Sequence, residues 1–503
     1  MWPFRKNIAR RSLAPKSIIK DLAKETKQKR QAIVNSLLLG MLFIVMCTAI
    51  LSYEPLQQRR YPEVIPIAIM VVLISCAAGF YIYRYQPSLI ENHIRALELI
   101  VVFILLLATA KAGILWAGHN CWATGTAVAA AIILVIVYDQ RFAAGMSIFY
   151  CLFACFVTGP ILDIKLCLTM VAGSIACCFS LGEIRTRPKL LEVGAISGAI
   201  VFITTSALSL WEPVLKPADI LRNSFLHFAA AFVAAVLIQG FLPVIEKAFR
   251  IATSLTLVDY SRMDKELLKK LAMEAPGTYT HSLQVGSIAE AAAEAIGCNG
   301  LLCRVGAYYH DIGKINKAGY FTENELGSAS RHKELSPAMS QLVIVGHVKD
   351  GVEMAVEYKL PAVLRQFIET HHGTTLIEFF YNQARKKHDL KRSAATPAPS
   401  ESEFRYPGPK PETKEAAIVM LADAVESAVR SLTDLTPAKI EAVVHNMAMR
   451  RLQDGQFDEC DLSLKELSQI ETSMSKTLAA HYHGRISYPN PPDQPEEQPQ
   501  NNH

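Results

Sequence analysis

Five histidines and two aspartates in the second half of the chain have the types and placement for metal chemistry: His281, His310, Asp311, His347, His371, His372 and Asp423. From His281, His310-Asp311 follows after 29 residues, His347 after 37 more, His371-His372 after 24 and Asp423 after 51. Neutral imidazoles and carboxylates are ligands for Mn, Fe, Zn or Co, and a carboxylate beside a ligating histidine can bridge two ions. A lone histidine on a helix is usually a core or surface residue, as His332, His388, His445 and His483 read. The adjacent pairs His310-Asp311 and His371-His372 are different, because each falls where a helix ends and a glycine, Gly313 or Gly373, soon follows.

The elements that must position these side chains read as helices. Amphipathic stretches cover Lys265 to Glu274, Thr280 to Ile296, Gly300 to His310, Pro337 to Tyr358, Pro361 to His371, Lys414 to Leu432, Pro437 to Gln453 and Leu464 to Tyr482. Ser336-Pro337 and Thr436-Pro437 supply a cap and a first-turn proline, and Gly297 and Gly455 fit C-terminal stops. No alternating run is long enough for a strand. A helical bundle can project all seven residues into one cavity, as di-metal bundles do. Residues 384 to 403 read as a solvated loop between helices, and 488 to 503, rich in Pro, Gln and Asn, as a disordered tail.

The first half is of another kind. The 503 residues are 51% apolar and 19% charged with mean hydropathy +0.22, too oily for an ordinary soluble protein and too charged for one that is all membrane. Eight of the 11 cysteines precede residue 247 and no CxxC occurs, so they read as small apolar residues and not as a disulfide framework. Apolar runs near 32 to 53, 64 to 83, 96 to 117, 122 to 138, 142 to 158, 161 to 181, 190 to 211 and 223 to 245 predict about eight transmembrane helices. Merging 142 to 158 with 161 to 181 across Thr158, Gly159 and Pro160 would make seven. Ten Lys or Arg within residues 1 to 32 mark a cytoplasmic N-terminus, and an even count returns the chain to that side. With residue 1 inside, the inner loops hold Arg84, Arg95, Arg141, Arg185, Arg187 and Lys189, against Arg59, Arg60, Lys216 and Arg222 outside. Lys111, within the third run, either snorkels to the nearby interface or faces a functional cavity. The expected organisation is all-α: a basic segment 1–31, a membrane domain 32–246, a cytoplasmic domain 247–487 and the tail. The net charge of +5 is modest, and the glycine-rich loops that cradle nucleotide phosphates in P-loop and dinucleotide-binding proteins are absent.

The order of the seven residues resembles the HD-domain phosphohydrolases. The phrases EAPGTYTHSLQV, RVGAYYHDIGKINK, VGHVKDGVEMAVEYKLP, FIETHHGTTL and DGQFDECDLSLKEL, behind a multi-span membrane domain, resemble the seven-transmembrane HD hydrolases of the PgpH type, bacterial membrane phosphodiesterases that cleave cyclic di-AMP. The resemblance implies two divalent ions, Mn or Fe. His281, His310, Asp311 and Asp423 would hold one and Asp311, His347, His371 and His372 the other, with Asp311 bridging. Two ions about 3.5 to 4 Å apart can activate water for in-line attack on phosphorus, so no protein nucleophile is needed. Lys314 in HDIGK would reach the phosphate as a point charge, or else is a solvated lysine past a helix C-terminus. Arg405, Tyr406 and Lys410 would contact the nucleotide, or else form a proline-rich surface turn.

The implied reaction is hydrolysis of cyclic di-AMP to the linear dinucleotide pApA at the cell membrane, with no DNA or RNA polymer as partner and a homodimer left open. HHGTT in place of the HHE...GYP phrase of cyclic di-GMP hydrolases favours the adenine substrate. The alternatives are another HD nucleotide phosphohydrolase, acting on guanosine tetraphosphate, a deoxynucleotide or cyclic di-GMP, or a non-catalytic nucleotide-binding receptor. The chain departs from the family in two places. Only about ten residues, Glu54 to Glu63, stand where members carry a large extracellular domain, and the 384–403 segment lengthens the interval before Asp423.

Overall fold

The computed structural model describes residues 16–53, 64–159, 161–182, 184–186, 188–211, 216–325, 331–391, 398–432 and 435–483. The expected tail at 488–503 lies outside them, as do residues 1–15 of the 1–31 segment. The chain divides into two units, Met1–Leu255 and Thr256–His503.

The first unit is built of eight apolar helices: α1 (Lys16–Leu51), α2 (Val64–Tyr85), α3 (His93–Ala117), α4 (Cys121–Val137), α5 (Gln140–Ala154), α6 (Ile164–Ser180), α7 (Pro188–Ser209) and α8 (Pro217–Phe249). Six segments, Gln140–Thr158 counted with its 3-10 end, are long and apolar enough to cross a membrane, and α4 and α6 are shorter at 17 residues each. Local chemistry sets their ends. The side chains of Asn92, Asp139 and Asp163 accept backbone N–H groups of the first turns of α3, α5 and α6. α5 runs into a 3-10 turn, Cys155–Thr158, and stops at Gly159, whose φ of 150° suits only glycine, so 142–158 and 161–181 are separate helices. α4 is buried from Ala123 to Leu134. Its alanines and Gly125, whose Cβ would stand 3.1 Å from the Ala230 carbonyl oxygen, let it seat closely against α8.

Two expectations change here. α1 starts at Lys16, so the basic stretch runs as helix into the apolar segment without a break at 32. Lys111 is 7% exposed and does not snorkel. Its Nζ donates to the carbonyls of Leu51 and Val157, at 3.1 Å each, satisfying acceptors at the ends of α1 and of the 3-10 turn after α5.

The second unit holds α9 (Glu266–Glu274), α10 (Pro276–Ala295), α11 (Gly300–Tyr309), α12 (Pro337–Glu357), α13 (Ala362–Thr370), α14 (Glu378–Lys391), α15 (Lys414–Arg430), α16 (Pro437–Gln453) and α17 (Leu464–His483), with a 3-10 segment at Ile312–Tyr320. Among the described residues there is no strand, only an isolated bridge between Leu376 and Arg405. The core packs α10, α11, α15, α16 and α17, through Ile288, Ala289, Val419, Val425, Val444 and Ile470 among others. The expected loop at 384–403 is helical to Lys391 as the end of α14, and 392–397 lie outside the described residues. Tyr381 and Phe380 anchor this polar helix, the latter buried against His332, so few apolar residues sufficed to hold it and none stood out in the pattern.

Candidate metal centre

All seven expected residues converge on the interior of the second unit. α10 carries His281, and His310 caps the C-terminal end of α11, with Asp311 just beyond. α12 carries His347 midway, His371 and His372 follow α13, and Asp423 lies within α15. Candidate donor atoms of Asp311, His347, His371 and His372 lie within 4.8 Å of one another, and so do those of His281, His310 and Asp423. Asp311 faces both sets: its Oδ1 is 3.4 Å from His347 Nε2 and 3.5 Å from His371 Nε2, and its Oδ2 is 3.2 Å from His310 Nε2 and 3.8 Å from His281 Nε2. Asp423 Oδ1 is 3.0 Å from His281 Nε2, and its Oδ2 is 3.8 Å from His372 Nδ1.

Close packing makes this convergence. A Cβ on Gly313 would stand 1.9 Å from the His347 carbonyl oxygen, so only glycine lets the turn after Asp311 press onto the α12 backbone. Gly373, at φ 50°, turns the chain sharply after His372, and Gln456 then holds the next residue, accepting from Thr374 N and donating to its Oγ1, both at 2.9 Å.

The imidazole tautomers follow from backbone contacts. Nδ1 of His310 donates to Ala307 O at 2.6 Å, that of His347 to Ile344 O at 2.5 Å, and that of His371 to Phe367 O and Ile368 O at 3.0 Å. Each ring therefore turns its Nε2 inward, free to act as a ligand atom once it carries no proton. Nε2 of His347 and of His371 face each other at 3.1 Å. Nε2 of His310 and both Asp311 oxygens are buried without a hydrogen bond of good geometry.

Such a cavity requires positive charge. Burial opposes ionisation of Asp311, yet His310 and Lys314 hold its carboxyl well below the usual range, and His281 and His310 do the same for Asp423. Burial disfavours the His310 imidazolium, but Asp311 and Asp423 push its pKa up to about 10. His347 is depressed to about 3, chiefly by burial, which leaves a neutral ligand ring. Two buried carboxylates that draw a proton onto His310, beside imidazoles whose Nε2 atoms face inward, form a donor set in which a divalent cation can take that proton's place.

Lys314 is not solvated. Its Nζ lies 2.7 Å from Asp311 Oδ2 and 2.8 Å from Glu323 Oε1. Glu323 also accepts from Thr278 Oγ1 at 3.1 Å, and Asn324 Oδ1 accepts the N–H groups of Gly277 and Thr278, fastening this turn to the start of the His281 helix. Sequence reasoning passed over Glu323, and also Glu426, whose Oε2 takes His281 Nδ1 at 2.5 Å and fixes that ring. Glu426 stands three residues after Asp423, one turn along the same helical face, a spacing that could have revealed it. Of the residues ahead of α15, Tyr406 is buried with its ring on that of His372, centroids 4.2 Å apart. Arg405 is tied to Asp454 at 2.9 and 3.0 Å, and Lys410 pairs with Asp458 at 3.5 Å.

An apolar multi-helix unit followed by a helical bundle, gathered around an adjacent His-Asp pair, defines the class: a multi-pass membrane protein that carries an HD domain. Residues 61–253 match the model for the 7TM receptor with intracellular HD hydrolase, and residues 278–428 that for the HD domain. The chain thus carries both domains that these two models describe, in that order. It is 42% identical over 310 residues to the cyclic-di-AMP phosphodiesterase PgpH of Bacillus subtilis (strain 168), covering 61% of this chain and 42% of that protein. It is 33% identical over 436 residues to PgpH of Listeria monocytogenes serotype 1/2a (strain 10403S), covering 84% and 59%. It therefore spans about half the length of these curated relatives. The crystal structure of the L. monocytogenes PgpH HD domain in complex with cyclic-di-AMP is 43% identical with a TM-score of 0.42, covering 44% of this chain and all of that one.

Proposed function

We propose that the chain is a membrane-bound, metal-dependent phosphodiesterase that hydrolyses cyclic di-AMP to pApA. The observation that carries this reading is the seven-residue cluster around Asp311, whose two oxygens face two separate groups of imidazoles. Its similarity to two cyclic-di-AMP phosphodiesterases supplies the substrate. His281, His310, Asp311 and Asp423 would hold one ion, and Asp311, His347, His371 and His372 the other, with Mn or Fe as the metal. When bound, the ions activate water for attack on phosphorus and offset charge on the phosphoryl oxygens. The protein's own part is orientation. Glu426 fixes the His281 ring, the carbonyls of Ala307, Ile344, Phe367 and Ile368 fix three others, and Glu323 holds Lys314 beside Asp311. Lys314 then contacts a phosphoryl oxygen, while the leaving ribose oxygen takes a proton from solvent.

In this reading the membrane domain (32–246) crosses the bilayer eight times, with the N-terminus and the HD domain (247–487) both cytoplasmic. α2 to α8 make seven helices within the matched 61–253, and α1 adds one ahead of them.

The test is turnover by full-length protein in nanodiscs, loaded with Mn or anaerobically with Fe, offered cyclic di-AMP, cyclic di-GMP and guanosine tetraphosphate. Conversion of cyclic di-AMP to pApA is expected, with slower or no turnover of the others. Preference for another nucleotide would move the substrate within the HD class, and tight cyclic di-AMP binding without turnover in any metal would make the chain a receptor.

A further inference from the structure

Among the basic side chains around the centre, Arg451 differs from its neighbours. Arg405 is engaged by Asp454, Arg450 by Glu378 at 3.3 Å, and Lys314 by Asp311 and Glu323. Arg451, in the last turn of α16, makes no hydrogen bond or ion pair through its side chain among the described residues, and its Nε is shielded from solvent without an acceptor. An arginine left so costs stability unless an anion completes it. Burial lowers its pKa from the ordinary arginine value, and Asp423, Asp454 and Glu378 act on it in the opposite sense.

Its position is fixed relative to the centre. The Arg451 carbonyl accepts from Gln456 N at 3.0 Å, and the Gln456 side chain holds Thr374, two residues past His372. Asp454 in the same turn holds Arg405, and the next residue, Tyr406, stacks on His372. The Arg451 turn is thus fastened to both segments that flank His372. That histidine has the most exposed side chain of the seven, at 21%, and marks the side from which a ligand enters. Lys314 approaches from elsewhere, on Asp311 and over the Phe321 ring.

We propose that Arg451 binds the phosphodiester of the cyclic dinucleotide that is not being hydrolysed. This rests on the function proposed above. A cyclic dinucleotide carries two phosphodiesters. Asp311 and Lys314 serve the reacting one, and a planar guanidinium with unused donors, on a turn fastened to both segments that flank His372, can take the second in bidentate fashion. Arg451 is then a specificity residue, separating a two-phosphate ring from a simple diester.

The experiment compares Arg451→Met and Arg451→Lys with wild type as full-length, Mn-loaded protein in nanodiscs, on cyclic di-AMP and on bis-p-nitrophenyl phosphate, which has one phosphate. Loss of a charged bidentate contact should raise KM for cyclic di-AMP about tenfold or more in the Met variant, with kcat changed much less and Lys rescuing part of the loss. The penalty on kcat/KM for bis-p-nitrophenyl phosphate should be at least about tenfold smaller. Equal losses on both substrates, or lost metal or a lowered Tm in both variants, would mean that Arg451 supports the centre or the fold, and would overturn the proposal. An unchanged KM for cyclic di-AMP would overturn it alone. Wild type that turns over the simple diester but never cyclic di-AMP would remove the substrate reading and this inference together.

Discussion

At the scale of residues, the centre depends on one carboxylate shared between two groups of imidazoles. Asp311 alone places an oxygen near His347 and His371 on one side and His310 on the other. Asp311→Ala should therefore lower bound metal from two ions toward none and reduce hydrolysis by at least about a thousandfold, read by elemental analysis and pApA formation. Retention of both ions would show that Asp311 does not bridge. Glu426 gives a graded contrast, since it touches only the outer nitrogen of His281. Glu426→Ala should weaken metal binding about 10- to 100-fold, seen as a higher metal concentration for half-maximal activity and restored turnover at saturating metal. Lys314→Ala removes none of the seven metal-binding candidates. It should keep its metal while kcat falls, and a metal-depleted Lys314→Ala would assign the lysine to holding Asp311 in place.

Elements meet at this centre because particular glycines let backbones touch. A Cβ on Gly313 would come 1.9 Å from the His347 carbonyl oxygen and 2.4 Å from Gly351 N, atoms of α12 that cannot swing aside as a side chain tip would. Gly313→Ala should thus push the turn after Asp311 away from α12 and cost about 1–3 kcal/mol, a Tm drop of several degrees for a domain of this size. Metal affinity should fall with it, because Asp311 and His347 move apart, and an unchanged Tm with full metal content would refute this account. The same elements show how far a sequence alone can be read. Helix positions were legible from apolar periodicity and from caps such as Ser336-Pro337 and Thr436-Pro437, since both signals lie within one segment. The seven convergent side chains were legible because imidazole and carboxylate pairs at helix ends have few other uses. The partners of Lys314 and His281 were harder to read: Glu323 reaches Lys314 across 9 residues of irregular turn, and Glu426 reaches His281 across 145, with only its place one turn after Asp423 to mark it. α14 was hidden for a different reason, as its Lys- and Arg-rich surface gives a loop-like composition while two rings, Phe380 and Tyr381, anchor it.

For the whole molecule, the most consequential quantity is the parity of the membrane crossings, which decides whether the HD domain meets the nucleotides of the cell interior. Lys111 bears on it directly. Its ammonium, carried near the C-terminal end of α3, donates both to the last residue of α1 and to Val157 at the end of the turn that follows α5. Three odd-numbered helices thus end at one level. Helices that alternate in direction, with none turning back within the bilayer, give this result, and a merged α5 and α6 would not. The sharp stop at Gly159, with φ at 150°, separates those two helices in the same sense. The eight alternating crossings proposed above would place residues before 30 and after 250 on one side, and the excess of Lys and Arg in the loops shared with the N-terminus predicts that side to be the cytoplasm. Reporters that fluoresce only in the cytoplasm, fused ahead of residue 30 and after residue 250 in the full chain, should both be bright, and paired alkaline phosphatase fusions should both be inactive. Opposite signals at the two sites would mean an odd number of crossings. They would also require α1, α3 and α5 to end at Lys111 without all three spanning, a result that would remove the eight-crossing arrangement altogether.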